Sequence, residues 1–303
     1  MKILFTFPGQ GGQRPGMLAM IPDREAILTQ ARAVLGDEVD TLDSADALQH
    51  TRAVQLCLLI AGVAWARELQ RQGVDPQMVS GLSIGAFPAA VIAGALDFAS
   101  ALRLVALRGD LMEQAYPEGY GLTAIMGLTR PRVEALMQGH EVYLANLNAE
   151  TQFVIAGRDE AMAEVAQLAL RAGASKAQRL AVSVPSHCAL LDKPAAELAK
   201  AFAGASLRRP WCAYLSGSTA RVLWDPQRIA DDLAMNMARP VHWQEAMVAA
   251  DERDERDARL AIEMPPGGVL TCLTRQAGWR GETIALERSG LDVARHLAQR
   301  LSD

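Results

Sequence analysis

Apolar residues along this chain recur in two rhythms, short unbroken runs and longer stretches with three- and four-residue spacing, and the two alternate. The short runs read as buried strands and the long ones as helices. Strands are predicted at Ile3–Phe7, Met78–Ser80, Trp211–Leu215 and Leu260–Met264. Helices are predicted at about Thr51–Arg71, after Ser83, from Ala99 to Arg108 and, as an amphipathic terminal element bearing His296, over Leu291–Leu301, with a further segment over Arg228–Met237. Strands alternating with helices argue for an α/β protein with a parallel sheet covered on both faces.

Between Leu122 and Val184 the order changes. The chain reads strand (Leu122–Leu128), helix (Arg130–Met137), strand (Glu141–Asn148), turn, strand (Gln152–Gly157), helix (Asp159–Ala172) and strand (Gln178–Val184). That order is βαββαβ, the ferredoxin-like unit. Its second helix presents Met162, Val165, Leu168 and Ala169 on one face and stops at Gly173. The chain has no internal repeat and no Pro/Ser-rich linker, so the unit is expected as an insertion, residues 121–185, splitting a large domain of residues 1–120 and 186–303.

Composition narrows the classes. In 303 residues, 30 Lys and Arg against 35 Asp and Glu give a net charge of −5, which argues against nucleic acid as a partner. The longest uncharged stretches, Val54–Ala66 and Gly81–Leu96, are shorter than the roughly 18 to 20 apolar residues of a membrane span. The amino-terminal apolar run meets Pro8 too early for a signal peptide. Cys57, Cys188, Cys212 and Cys272 are scattered without a Cys-x-x-Cys pair, so no zinc site is written here and a reduced, cytoplasmic, soluble chain is expected. The charge run Asp251–Asp257 reads as a solvated surface connection.

The sharpest chemical signal is Gly81-Leu82-Ser83-Ile84-Gly85, a Gly-x-Ser-x-Gly between a short strand and an apolar helix. Such an elbow lifts a serine hydroxyl out of the sheet toward a helix amino terminus; the plainer reading is a glycine-rich turn capped by Ser83. Pro8-Gly9-Gln10-Gly11-Gly12-Gln13 follows the first strand but lacks the dinucleotide spacing, with Arg14 where the third glycine belongs, and lacks the Gly-Lys-Ser/Thr of a phosphate loop. A backbone N–H there, paired with that of Ile84, would make an oxyanion hole; otherwise the segment is a tight turn. Among the histidines, His50, His140 and His296 read as surface residues and His242 as a structural one beside a helix start. His187 follows the last strand of the insertion and is the candidate base. Arg108, before Gly109, reads either as a cation closing its helix or as a clamp for a carboxylate. Asn146 and Asn148 either contact ligand or order the small unit's hairpin.

Taken together, Phe7–Gln13, Gly81–Gly85, Leu107-Arg108-Gly109, Asn146-Leu147-Asn148 and Pro185-Ser186-His187-Cys188 resemble the malonyl-CoA:acyl carrier protein transacylase family over nearly the whole chain. The resemblance implies an α/β-hydrolase-like large domain interrupted by the ferredoxin-like one. It implies Ser83 as acyl-accepting nucleophile, His187 as base, Arg108 as holder of the malonyl carboxylate, and the amides of Gln10 and Ile84 as oxyanion hole. In that family a main-chain carbonyl orients the histidine, and the matching position here is Asn236; Asn148 enters as a further substrate contact. No permanently bound cofactor is implied, only malonyl-CoA as donor and a phosphopantetheine-type thiol on a carrier as acceptor.

Where Leu82, Gly12 and Arg52-Ala53-Val54 stand, family members usually carry histidine, serine and a Gln-Pro-Ala. Gly-Leu-Ser-Ile-Gly-Ala-Phe, Glu263-Met264-Pro265-Pro266-Gly267 and Gly119-Tyr120-Gly121 look more like the epsilon subunit of malonate decarboxylase, which would make the acceptor that enzyme's carrier subunit. The alternatives are a transacylase of fatty acid or polyketide synthesis, a serine thioesterase, and a non-catalytic assembly subunit. Because carriers and CoA are anionic, a local basic rim is expected near the cleft.

Overall fold

The computed structural model describes residues 2–116, 118–253 and 258–301. Its strands are β1 (Lys2–Phe7), β2 (Met78–Gly81), β3 (Tyr120–Met126), β4 (Val142–Ala149), β5 (Gln152–Arg158), β6 (Lys176–Arg179), β7 (Ala213–Leu215), β8 (Val222–Leu223), β9 (Arg259–Glu263) and β10 (Glu282–Ala285). They form a six-stranded sheet in the order β10-β9-β1-β2-β7-β8 and a four-stranded sheet in the order β4-β5-β3-β6.

In the larger sheet β10, β9, β1, β2 and β7 run parallel, as the strand–helix alternation requires, while β8 adds an antiparallel edge that the apolar pattern did not announce. β1 is buried along its whole length because it is central and covered on both sides. Its side chains alternate between two cores: Ile3, Phe5 and Phe7 face one with helices Thr51–Arg71 and Phe98–Ala115, and Leu4 faces the other with Trp243, Met247, Leu270 and Leu273. Among the described residues no helix is long and apolar enough to cross a membrane.

The four-stranded sheet is antiparallel throughout, and helices Arg130–Met137 and Asp159–Arg171 pack on it through Val133, Met162, Val165 and Ala169. Its first and last strands each begin two residues earlier than expected, and the last stops at Arg179 rather than Val184. The Arg179 guanidinium bonds the carbonyls of Tyr120, Leu122, Leu180 and Val182, so the chain curls around a cation where more ladder was expected. The edge strand β4 is stitched to the larger unit: Val241 donates to the Ala145 carbonyl and accepts from the Leu147 amide, each at 2.8 Å.

Two further expectations are corrected. The helix expected to end at Arg108 runs from Phe98 to Ala115, capped at its start by the Asp97 carboxylate on the Ser100 amide. Gly109 is not a stop; a Cβ there would overlap the backbone of Arg52, so this glycine lets two helices cross at close range. The charge run Asp251–Asp257 is not all solvated, because Asp251 is buried and paired with Arg280 and Arg259; residues 254–257 of that run lie outside the described residues. Helix Arg24–Leu35 and strand β10 went unread in the sequence.

Candidate active site

The Gly-x-Ser-x-Gly segment folds as a sharp strand-to-helix corner. β2 ends at Gly81, a single 3-10 turn spans Ser83–Gly85, and the helix Ala86–Ile92 follows at once. Both glycines are sterically required. A Cβ on Gly81 would overlap the carbonyl group of Gly85, and one on Gly85 would overlap the carbonyl of Phe7 at the end of β1. Ser83 sits at φ +57°, a left-handed backbone that a side chain adopts at a cost of about 1–3 kcal/mol and that concentrates at functional sites.

β1 and β2 pair in parallel with Phe7 opposite Gly81, so the loop after β1 and the corner after β2 rise side by side. Gln10 and Ile84 each stand three residues beyond those paired positions, and Gly9 packs against Leu82. The Leu82 side chain itself joins the second core, an apolar contact at the position where the family resemblance implies histidine.

Arg108 reaches this corner from the middle of its helix. It is fully buried, and among the described residues its guanidinium has neutral partners alone: Nη1 donates to Gln55 Oε1 at 2.8 Å, and Nη2 donates to Asn236 Oδ1 at 2.9 Å and to Ser83 Oγ at 3.1 Å. Its Nε has no acceptor, and the Phe87 ring lies 5.9 Å from the guanidinium carbon. Burial pushes its pKa down to about 9, which leaves the group charged at neutral pH.

His187 is buried and also left-handed, at φ +64°. Its Nδ1 donates to the carbonyls of Asn236, at 2.8 Å, and Arg239, at 3.2 Å. Those acceptors fix the proton on Nδ1 and leave Nε2 free to accept one. Burial, reinforced by the Arg108 charge, pushes the imidazole pKa down to about 4, so the ring is a neutral base at physiological pH. Ser83 and His187 line one small pocket with Gly81, Ala86, Gly217, Ser218, Asp232, Asn236 and Val241. The hydrogen bond to Ser83 Oγ comes from Arg108 rather than from His187.

Of the residues singled out in the sequence, Ser83, His187, Arg108 and Asn236 are thus brought together by direct bonds or a shared pocket, with Gln10 and Ile84 alongside on the backbone. Asn148 is not among the pocket-lining residues; it is buried in β4 with its Oδ1 lacking a partner, while Asn146 bridges to Val241. His50, His140 and His242 each face a glutamate, respectively Glu113, Glu164 and Glu245, and His296 is exposed. Gln55 and Asp232 were missed. Gln55 left a signal, a lone amide inside an apolar helix; Asp232 left none, because a carboxylate on a polar helix reads as solvated. No Lys or Arg lines this small pocket, but the neighbouring cavity that shares Asp232 is lined by Arg221, Arg228 and Arg239 among Asp225 and Asp231, with Arg239 paired to Asp231.

A family model described as the acyl transferase domain matches residues 4–288. The malonyl CoA-acyl carrier protein transacylase of Escherichia coli K12 is 36% identical over 288 residues, covering 91% of this chain and 92% of that protein. The solved transacylase of the same description from Coxiella burnetii superposes with a TM-score of 0.90 at 31% identity, over 100% of this chain and 98% of that one. A malonyl-transacylase solved in complex with its type II polyketide acyl-carrier protein matches with a TM-score of 0.86 at 34% identity, over 94% and 96% of the two chains.

Proposed function

The chain belongs to the acyl transferase domain family, and from that premise we propose that it is a malonyl-CoA:acyl carrier protein transacylase working through a malonyl-serine intermediate. The observation that carries the malonyl reading is the Arg108 cation, buried beside Ser83 with no carboxylate among the described residues to pair it. A buried charge with neutral partners is costly, and a substrate carboxylate arriving there would supply the missing counter-charge in a two-point bond. Acetyl has no such group.

In this mechanism His187 Nε2 takes the Ser83 hydroxyl proton as Oγ attacks the thioester carbonyl. The oxyanion is held by the amides of Gln10 and Ile84, each donor contributing about 3 kcal/mol in comparable sites. The CoA thiolate leaves with the proton held by His187. The carrier thiol then enters, His187 removes its proton, and malonyl passes to the new thioester while Ser83 is restored. Asn236 holds His187 through its carbonyl and Arg108 through its amide oxygen.

We read residues 121–185 as an inserted ferredoxin-like domain in an α/β-hydrolase-like frame of residues 1–120 and 186–303, and Asn148 as ordering the hairpin rather than touching substrate. For the acceptor, the relatives favour an acyl carrier protein of fatty acid or polyketide synthesis. The malonate decarboxylase carrier subunit is the narrower reading, favoured by Leu82 and Glu263-Met264-Pro265-Pro266-Gly267. Glu263 weakens it, since its carboxylate accepts from the amides of Leu270 and Thr271 and so caps helix Val269–Gln276, a structural duty. Carrier docking rests on the relatives.

The test is intact mass after brief exposure to malonyl-CoA. One malonyl is expected on the wild type and none on Ser83→Ala; an unmodified wild type sinks the proposal and leaves the assembly-subunit reading. A malonyl-enzyme that decays in water as fast as a carrier thiol discharges it would indicate a thioesterase. Arg108→Ala is expected to lose about 10²-fold in malonyl transfer and to gain acetyl transfer, and unchanged malonyl preference would refute the clamp.

A further inference from the structure

Asp232 is a buried carboxylate that the mechanism does not use, yet it lines the same pocket as Ser83 and His187. It lies on helix Pro226–Met235 one turn before Asn236, so the two side chains share a helix face. Its Oδ2 accepts the Tyr214 hydroxyl at 2.7 Å and its Oδ1 accepts the Ser216 hydroxyl at 2.6 Å. Ser216 Oγ in turn accepts the amides of Ser218, at 3.2 Å, and Thr219, at 3.1 Å, which closes the turn that presents Gly217 and Ser218 to the pocket. From the other side the Gly217 carbonyl is held by the His242 amide at 2.7 Å. One helix therefore fixes His187 and Arg108 through Asn236, and the facing wall through Asp232.

Resting on the malonyl transfer proposed above, we propose that Asp232 is a positioning residue: acting through the Ser216 hydroxyl, it sets the Gly217–Ser218 wall against which the acyl group lies when Ser83 attacks. Its bonds to Ser216 and to Tyr214 then differ in kind. The Ser216 bond leads to the pocket wall, whereas the Tyr214 bond ends in a side chain that does not line the pocket.

Rapid-quench measurement of Ser83 malonylation, run well below the Tm of each variant and beside labelling by phenylmethylsulfonyl fluoride, separates positioning from general support. Asp232→Ala and Ser216→Ala are each expected to slow malonylation about tenfold or more, since small misplacements of a reacting group carry large rate penalties. Labelling by the small sulfonyl fluoride should persist in both. Asp232→Asn keeps an acceptor oxygen and should recover most of the rate, and Tyr214→Phe should lower Tm with malonylation near the wild-type rate. The inference alone is overturned if the wild type is malonylated and Asp232→Ala keeps pace with it, if Tyr214→Phe is slowed as much as Ser216→Ala, or if sulfonyl fluoride labelling falls in step. A wild type that acquires no malonyl overturns the transfer reaction and this inference with it.

Discussion

Ser83 and Arg108 share a hydrogen bond of 3.1 Å, but the chain builds their surroundings in opposite ways. The serine corner is local. Five consecutive residues, two of them glycines that tolerate no Cβ, force a left-handed Ser83 at the end of a strand. The arginine site is assembled at a distance: Gln55 comes from one helix, Arg108 from a second and Asn236 from the end of a third. Backbone sterics hold the first, and polar side chains in a dry interior hold the second. The difference teaches that the reactive group is fixed by shape and the selective group by hydrogen bonding.

That contrast can be broken at several points. The largest effect is expected at the corner, where Gly85→Ala drives a methyl into the Phe7 carbonyl and should cost more than about 4 kcal/mol, seen as loss of the cooperative melt. A Gly85→Ala chain with near-native Tm would show that shape is not what holds Ser83. Next comes pH. The folded His187 pKa, about 4, lies below its unfolded value of 6.5, so between those values the unfolded chain binds more protons and stability falls as pH falls. The loss amounts to about 3 kcal/mol across that window, whereas the malonylation rate, which needs only neutral His187, should hold to near pH 5. A rate midpoint at pH 6.5 instead would contradict the burial argument.

Smaller again is Gln55→Ala, which strands Arg108 Nη1 without an acceptor. It should cost about 1–3 kcal/mol in chemical denaturation and weaken malonyl over sulfonyl fluoride reactivity, sparing the corner. Equal losses for both reagents would merge the two regions into one. The smallest is Leu82→His, where one partly buried side chain is exchanged beside the corner; less than about tenfold in malonylation is expected, since none of the bonds around Ser83 passes through that side chain.

The same contrast explains what could be read from the sequence. Gly81–Gly85 was legible because its constraint lies within five residues, and the βαββαβ order was legible because apolar rhythm reports local burial. Arg108 was half legible: its identity stood out, but Gly109 was read as the end of a helix when it marks a crossing with Arg52, a fact that only the partner helix supplies. Gln55 was passed over because a single amide does not interrupt the apolar rhythm of its helix, and Asp251 because neighbouring charges suggested solvent while Arg280 and Arg259, its partners, come later in the chain. β10 has four residues, half of them polar in texture, and gains its place by pairing with β9.

Asn236 gives the site one adjustable part where two would be expected. Its carbonyl steers the imidazole, its side-chain oxygen takes the guanidinium, and its amide nitrogen donates to the Ser83 carbonyl at 3.3 Å. Proton transfer and choice of acyl group are therefore geared together, and a chain drifting toward a different acyl substrate cannot adjust the arginine by moving this residue without detuning the base. Such drift has to begin on the far side of the pocket, at Gly217 and Ser218, whose wall is tied to Asp232 and His242 rather than to Asn236.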